Sequence, residues 1–205
     1  MNHKQLIFAR EYRGYSQTEL AKKVEGLSQS NLSKFEKGIS VLSGDIIDKV
    51  ITTLDFPRSF FDKKINIECE NVNYRKKSTI TKKQRLEFET SYKLYGFLID
   101  QLLDSVELPA FLLKPIDLSE GYTAESAAAF TRKSLKIPTG EPVKDIFTLF
   151  EKHGIIVAEY DADEKFDGVS FLTDKGVPAI IINGNFDNDR KRFTLAHELG
   201  HIIMH

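Results

Sequence analysis

Two imidazoles and a carboxylate lie close together near the end of this 205-residue chain, in the run His197-Glu198-Leu199-Gly200-His201. On an α-helix, residues four apart share a face one turn apart, so His197 and His201 can bind one tetrahedral zinc ion. Glu198 sits about 100° further round, where it can reach a water on that ion without taking a coordination position. Zinc lowers the pKa of such a water to about 7, which makes Glu198 the candidate base and a peptide carbonyl the candidate electrophile. At ordinary usage of His and Glu, the pattern arises by chance about once per 25,000 positions. His205 is no third ligand on the same helix: it lies about 12 Å from His197 along the axis, whereas two ligands of one zinc approach within about 4 Å. Asp187 and Asp189 are similarly far on the other side.

The motif needs a helix, and the pattern predicts one from about Asn188 onward. Ahead of it Ile155 to Tyr160, Gly168 to Leu172 and Ala179 to Asn183 read as three short strands, with Asp161 to Asp167 and Thr173 to Pro178 as turns. Ala124 to Leu135 and Val143 to His153 read as helices, the second ended by Gly154. Further back, Leu86, Tyr92, Leu94, Tyr95, Leu98, Ile99, Leu102 and Leu103 recur near helical spacing, predicting a long helix from about Lys82 to Ser105. Arg75, Lys76, Lys77, Lys82, Lys83 and Arg85 form a basic cluster before and into it, suited either to tracking phosphates or to a solvated linker.

A second constellation lies near the N-terminus. Ser16-Gln17-Thr18-Glu19 is a capping box that starts a helix, with Leu20, Ala21 and Val24 as its apolar stripe and Glu25-Gly26 as its break. Ser28 is a second N-cap, and the helix after it runs to Gly38. Leu32 and Phe35 face inward, which leaves Gln29, Ser30, Asn31, Ser33 and Lys34 toward solvent. Amides, hydroxyls and an ammonium on one face suit base edges and phosphates. Leu6 and Ala9 before this unit, and Ile46, Ile47, Val50, Ile51 and Leu54 after it, supply helices that bury its back, with Phe60-Phe61 closing the core.

Composition bounds the rest. The net charge of −1 divides into +5 over the first 100 residues and −6 over the remainder, so the front half is the part compatible with a phosphate backbone. No stretch approaches the roughly 18 to 20 apolar residues of a membrane span, and the first residues have no signal-peptide core, so the expected location is cytoplasmic. Cys69 is the one cysteine, which excludes an intramolecular disulfide or a cysteine-ligated zinc and leaves His, Asp and Glu as metal ligands.

The stretch SQTELAKKVEGLSQSNLSKFEKG resembles the XRE family of repressor-like helix-turn-helix domains, with the turn after Ala21 a residue longer than the common spacing. The resemblance implies a domain over 1–65, Gln17 on a phosphate, and Gln29, Ser30, Asn31 and Lys34 in the major groove. The run DGVSFLTDKGVPAIIINGNFDNDRKRFTLAHELGHIIMH is similar to the ImmA/IrrE metallopeptidases, whose members often follow an XRE domain and act on repressors. Its most specific parts are the strand from Pro178 to Asn183, Arg192-Phe193-Thr194 and the His197 motif. That likeness implies His197 and His201 as zinc ligands and Glu198 as catalytic base, with a third ligand, a Glu, on a helix downstream of the motif. Since nothing follows His205, the expectation is an N-terminal piece of a longer protein, or a truncation that has lost the enzyme. Zn2+ is then held weakly or not at all.

The fold expected is multidomain: an all-α helix-turn-helix bundle over 1–65, a basic linker and connecting helix over 66–108, and an α+β metallopeptidase-like domain over 109–205 with a small three-stranded sheet. Two functions fit. One is a DNA-binding regulator, able to dimerise on double-stranded operator DNA, whose full-length form is a zinc peptidase that cuts a repressor. The other is a non-catalytic transcription factor or antitoxin-like binder that uses the second half as sensor or dimerisation module.

Overall fold

The computed structural model describes residues 1–63 and 81–204. They form two compact units, Met1 to Lys63 with Thr81 to Leu94, and Tyr95 to Met204. The first is helical: α1 (His3–Tyr12), α2 (Gln17–Lys23), α3 (Gln29–Glu36), α4 (Gly44–Leu54) and a 3-10 turn over Arg58–Asp62. The first part of α5 (Lys82–Leu102) belongs to it as well. Polar side chains start these helices by accepting the orphan N–H groups of the first turn. Asn2, Ser16, Ser28 and Ser43 each do so, and Ser16 and Glu19 form the reciprocal box expected of them. Gly38 follows α3 at φ +71°, a left-handed position open to glycine without strain. Leu6, Ala9, Leu20, Leu32, Val50 and Leu54 are fully buried between the helices, and Phe60 and Phe61 meet edge-to-face at 5.4 Å to close the core.

The second unit is built on the three strands β1 (Ile156–Tyr160), β2 (Gly168–Leu172) and β3 (Pro178–Asn183). β3 is central, parallel to β1 and antiparallel to β2. Its all-apolar run of Ala179 to Ile182 fits a strand buried on both faces. Around the sheet are α6 (Ala124–Ser134), α7 (Ile146–Glu151) and α8 (Asn188–Met204). In register, Val157, Ile180 and Ser170 share one face with Glu159, Ile182 and Gly168. That face receives α8. Ile180 and Ile182 pack with Leu195, Leu199 and Ile203 of α8, Phe150 of α7 and Leu135 beyond α6 in a single core. A Cβ on Gly168 would lie 2.6 Å from the Thr194 side chain and 3.1 Å from the Ile181 carbonyl oxygen, so helix and strand touch there backbone to side chain.

Two helices run shorter than expected, α7 and α5. α7 begins at Ile146 because Asp145 caps it, accepting the Thr148 N–H at 3.1 Å, while the carbonyls of Val143 and Lys144 accept from Arg192. α5 stops at Leu102. Its buried residues include Phe88, Tyr92 and Ile99, whereas Leu86, Leu98 and Leu102 are exposed; the helix serves both units, so its apolar residues do not form one stripe. Arg75, Lys76 and Lys77 of the basic cluster lie outside the described residues, and Arg85 pairs with Glu89 at 2.7 Å. Among the described residues no helix is long and apolar enough to cross a membrane.

Asn183, 1 % exposed at the end of β3, ties down the loop before β2. Its amide donates to the carbonyls of Ala162, Asp163 and Phe166 at 3.0 to 3.2 Å, and its own oxygen accepts the Asn185 N–H at 3.0 Å. Asn183→Ala removes these four bonds from a buried position, and the expected cost is about 2 kcal/mol or more. It should appear as a lower urea midpoint and as faster amide exchange in the loop joining β1 to β2.

Candidate functional site

Three consecutive cations at the start of α8 fix how the helix is turned. Arg190 pairs with the buried carboxylate of Asp167 just before β2 and lies over the Phe186 ring at 3.5 Å. Lys191 reaches Glu159 of β1 at 3.0 Å, and Arg192 donates to the main chain ahead of α7. Each of these contacts points a different way around the axis. One and two turns later Leu195 and Leu199 are therefore directed into the core and the two motif histidines toward its edge.

His197 is exposed and His201 half-buried, with the rings perpendicular at 4.8 Å and the two Nε2 atoms 3.2 Å apart. Two nitrogens bound to one tetrahedral zinc at about 2.0 to 2.1 Å each lie about 3.3 Å apart. The pair therefore fits two positions of such an ion. Among the described residues no group of three or more metal-ligating side chains gathers, and His205 lies outside them. Phe193, one turn before His197 and exposed, lies nearly parallel to its ring at 6.3 Å.

Glu198 is turned toward the sheet. It is 3 % exposed, and its Oε2 accepts the Ser170 hydroxyl proton at 2.8 Å from the middle of β2. Burial pushes its carboxyl up to about 7; Asp167 adds to the rise and the bonds from Ser170 oppose it. A carboxyl poised there can take or give a proton near neutral pH. Ser170 was not singled out in the sequence, where it reads as the polar alternate of a strand; the strand-to-helix register alone reveals it.

In the first unit Gln29, Ser30, Asn31 and Lys34 of α3 are exposed together, and Ser33 is half-buried. Gln17 at the start of α2 is joined to them, since its Oε1 accepts from Gln29 Nε2 at 2.9 Å. Gln29 keeps one N–H and its own carbonyl oxygen, the donor–acceptor pair by which a carboxamide reads a base edge. Arg10 and Glu36, both buried and paired at 2.7 Å, stand behind these residues and were also missed. The available signal was an arginine placed four residues after Leu6 on the inward stripe of α1.

The folds and geometry define a helix-turn-helix unit and a second unit built around a His-Glu-x-x-His helix. Comparison with protein families agrees with both: the model described as helix-turn-helix matches residues 6–61, and the peptidase model described as IrrE N-terminal-like domain matches residues 150–205. The chain thus carries an XRE-type helix-turn-helix domain followed by an IrrE N-terminal-like, peptidase-like domain. No curated protein and no solved structure matches the chain.

Two outcomes are expected from this geometry. His197→Ala and His201→Ala should each weaken Co2+ or Zn2+ binding by more than about tenfold, to the level of the double variant, because either one destroys the chelate; a Co2+ absorption titration reads this. The second concerns the metal-free protein. Glu198 has a higher pKa folded than its ordinary value of 4.5. Stability is therefore fully present below about pH 4.5 and is lost as pH rises through about 7, by on the order of 3 kcal/mol. Glu198→Gln should flatten that loss in urea midpoints measured from pH 5 to pH 8.

Proposed function

We propose that this protein is a DNA-binding transcriptional regulator whose C-terminal domain is a zinc-dependent peptidase acting on a repressor protein. The observation that carries this reading is the pair of imidazole nitrogens 3.2 Å apart with Glu198 next to them, in a chain that also holds a helix-turn-helix domain. In it, residues 1–65 bind operator DNA, 66–108 connect, and 109–205 form the peptidase part. His197 and His201 are two ligands of the metal. When bound, zinc supplies Lewis acidity toward a peptide carbonyl and lowers the pKa of water. Glu198 is the residue that moves the proton: its carboxyl, held by Ser170 and raised by burial, accepts it near neutral pH and returns it to the leaving amine. On the DNA side Gln29, Ser30, Asn31, Ser33 and Lys34 meet the major groove, and a homodimer doubles the phosphate contacts.

A second reading has one observation in its favour. The Glu198 carboxylate is committed to Ser170 and closed off from solvent, an arrangement equally suited to a non-catalytic sensor or dimerisation module. Zinc-loaded protein incubated with a co-encoded repressor separates the two. Specific cleavage that falls by about 10² to 10⁴ in Glu198→Ala supports the peptidase. Operator binding with no cleavage, indifferent to Glu198→Ala and to chelator, supports the second reading. For the DNA interface, Gln29→Ala with Lys34→Ala should lower specific operator affinity by roughly 10- to 100-fold, read by fluorescence anisotropy at fixed salt.

A further inference from the structure

Between α6 and α8 lies an apolar hollow of about 310 Å³. It exists because the residues that line it from the two helices are small: Ala124, Ala127 and Ala128 on α6, and Ala196 and Gly200 on α8, are too short to close the gap. Thr131 brings the one hydroxyl, which donates to the Ala127 carbonyl at 2.8 Å and is thereby spent on its own helix. At about 30 Å³ for a group the size of a water molecule or a methylene, the hollow holds an unbranched chain of about ten carbons.

The single charge on its wall is Arg132. One terminal nitrogen, Nη2, donates to the carbonyls of Pro138 at 3.1 Å and Glu141 at 2.5 Å, which holds the guanidinium and leaves Nε and Nη1 without a partner among the described residues. A second hollow of about 590 Å³ shares Arg132 and Ile137 with the first and adds Lys133 and Lys136. Among the described residues no carboxylate pairs with any of these three cations. Cations in the last turn of a helix complement its dipole, which accounts for Arg132 and Lys133. Lys136 lies past the end of α6 at φ +55°, in the left-handed position where glycine is the unstrained residue. Its N–H donates to the Lys133 carbonyl at 3.1 Å and that of Ile137 to the Arg132 carbonyl at 2.9 Å, so the strained turn closes the helix and sets a third cation at the same hollow.

We propose that the two hollows form one binding site for a small anionic amphiphile, a straight-chain carboxylate of about ten carbons, with its chain between α6 and α8 and its carboxylate on Arg132, Lys133 and Lys136. Removal of the chain from water and its contact with both helices supply the affinity, about fourfold per methylene. The cations select the head group, because charge-assisted bonds to a carboxylate are stronger than those a neutral head makes. The site uses neither the two histidines nor α3, so it stands or falls apart from the peptidase and DNA-binding readings. Ala196 and Gly200 directly precede His197 and His201, so the chain touches the turns of α8 that carry the motif, about 100° round from the imidazoles.

Isothermal titration calorimetry on the 205-residue protein tests this with decanoate, hexanoate, decanol and decyltrimethylammonium, each below its micelle concentration. Decanoate should bind on the order of 100-fold more tightly than hexanoate, and roughly tenfold or more above decanol and the cationic analogue. Ala128 is exposed, so Ala128→Trp fills the hollow without entering the core and should abolish binding of decanoate and decanol alike. Lys133→Ala with Lys136→Gly relieves the strained turn and keeps the fold; it should lower decanoate affinity by roughly five- to tenfold and leave decanol at its wild-type value. Decanoate held by folded Ala128→Trp protein as tightly as by wild type overturns the site. So does a wild-type protein that binds decanoate no more tightly than hexanoate. Sedimentation with anionic phospholipid vesicles, unchanged in Ala128→Trp and without decanoate binding, also overturns it and assigns the cations to a bilayer surface.

Discussion

A helix that carries chemistry has to be held in rotation as well as in place, because a slip of one residue swings every side chain by about 100°. On α8 this constraint is met before the His-Glu-x-x-His motif begins. Arg190, Lys191 and Arg192 leave the helix in different directions and each finds a fixed partner: a buried carboxylate, a strand carboxylate and a pair of main-chain carbonyls. Leu195, Leu199 and Ile203 supply the apolar side of the same decision. With rotation settled, His197 and His201 converge at the edge and Glu198 faces β2. The salt bridges are partly exposed and contribute little each to stability; their role is angular.

The helix-turn-helix unit solves the same problem with hydrogen bonds. Serine caps start α2 and α3 at defined residues, and Leu32 and Phe35 turn α3 inward.

Much of this was legible in the residues because it is periodic or local. The i, i+4 histidines, the capping box at Ser16, the cap at Ser28 and the β-branched runs of β1 and β3 each declare themselves within a few positions. The solvent-facing polar residues of α3 followed from the same accounting of inward and outward faces. Ser170 did not, since a serine in a strand acquires a partner only when the sheet meets a helix 28 residues later. Arg10 and Glu36 were hidden for a related reason: a lone charged residue reads as surface until its counter-ion, 26 residues away, is known to be buried with it. The long α5 misled on its stripe because it packs in two units, so its burial follows no single period.

α8 comes close to the sheet at Gly168, where Thr194 and the Ile181 carbonyl occupy the space a methyl group would need. Thr194 is one turn before Glu198, and Gly168 is two residues before Ser170 on the same strand face, so the separation of the carboxyl from the hydroxyl is inherited from the gap one turn away. Position 168 works as the fulcrum of a short lever. Alanine there would lift the first half of α8 while the core held its second half, tilting the helix. The edge that carries His197 and His201 would open by an amount set at a residue on the opposite element.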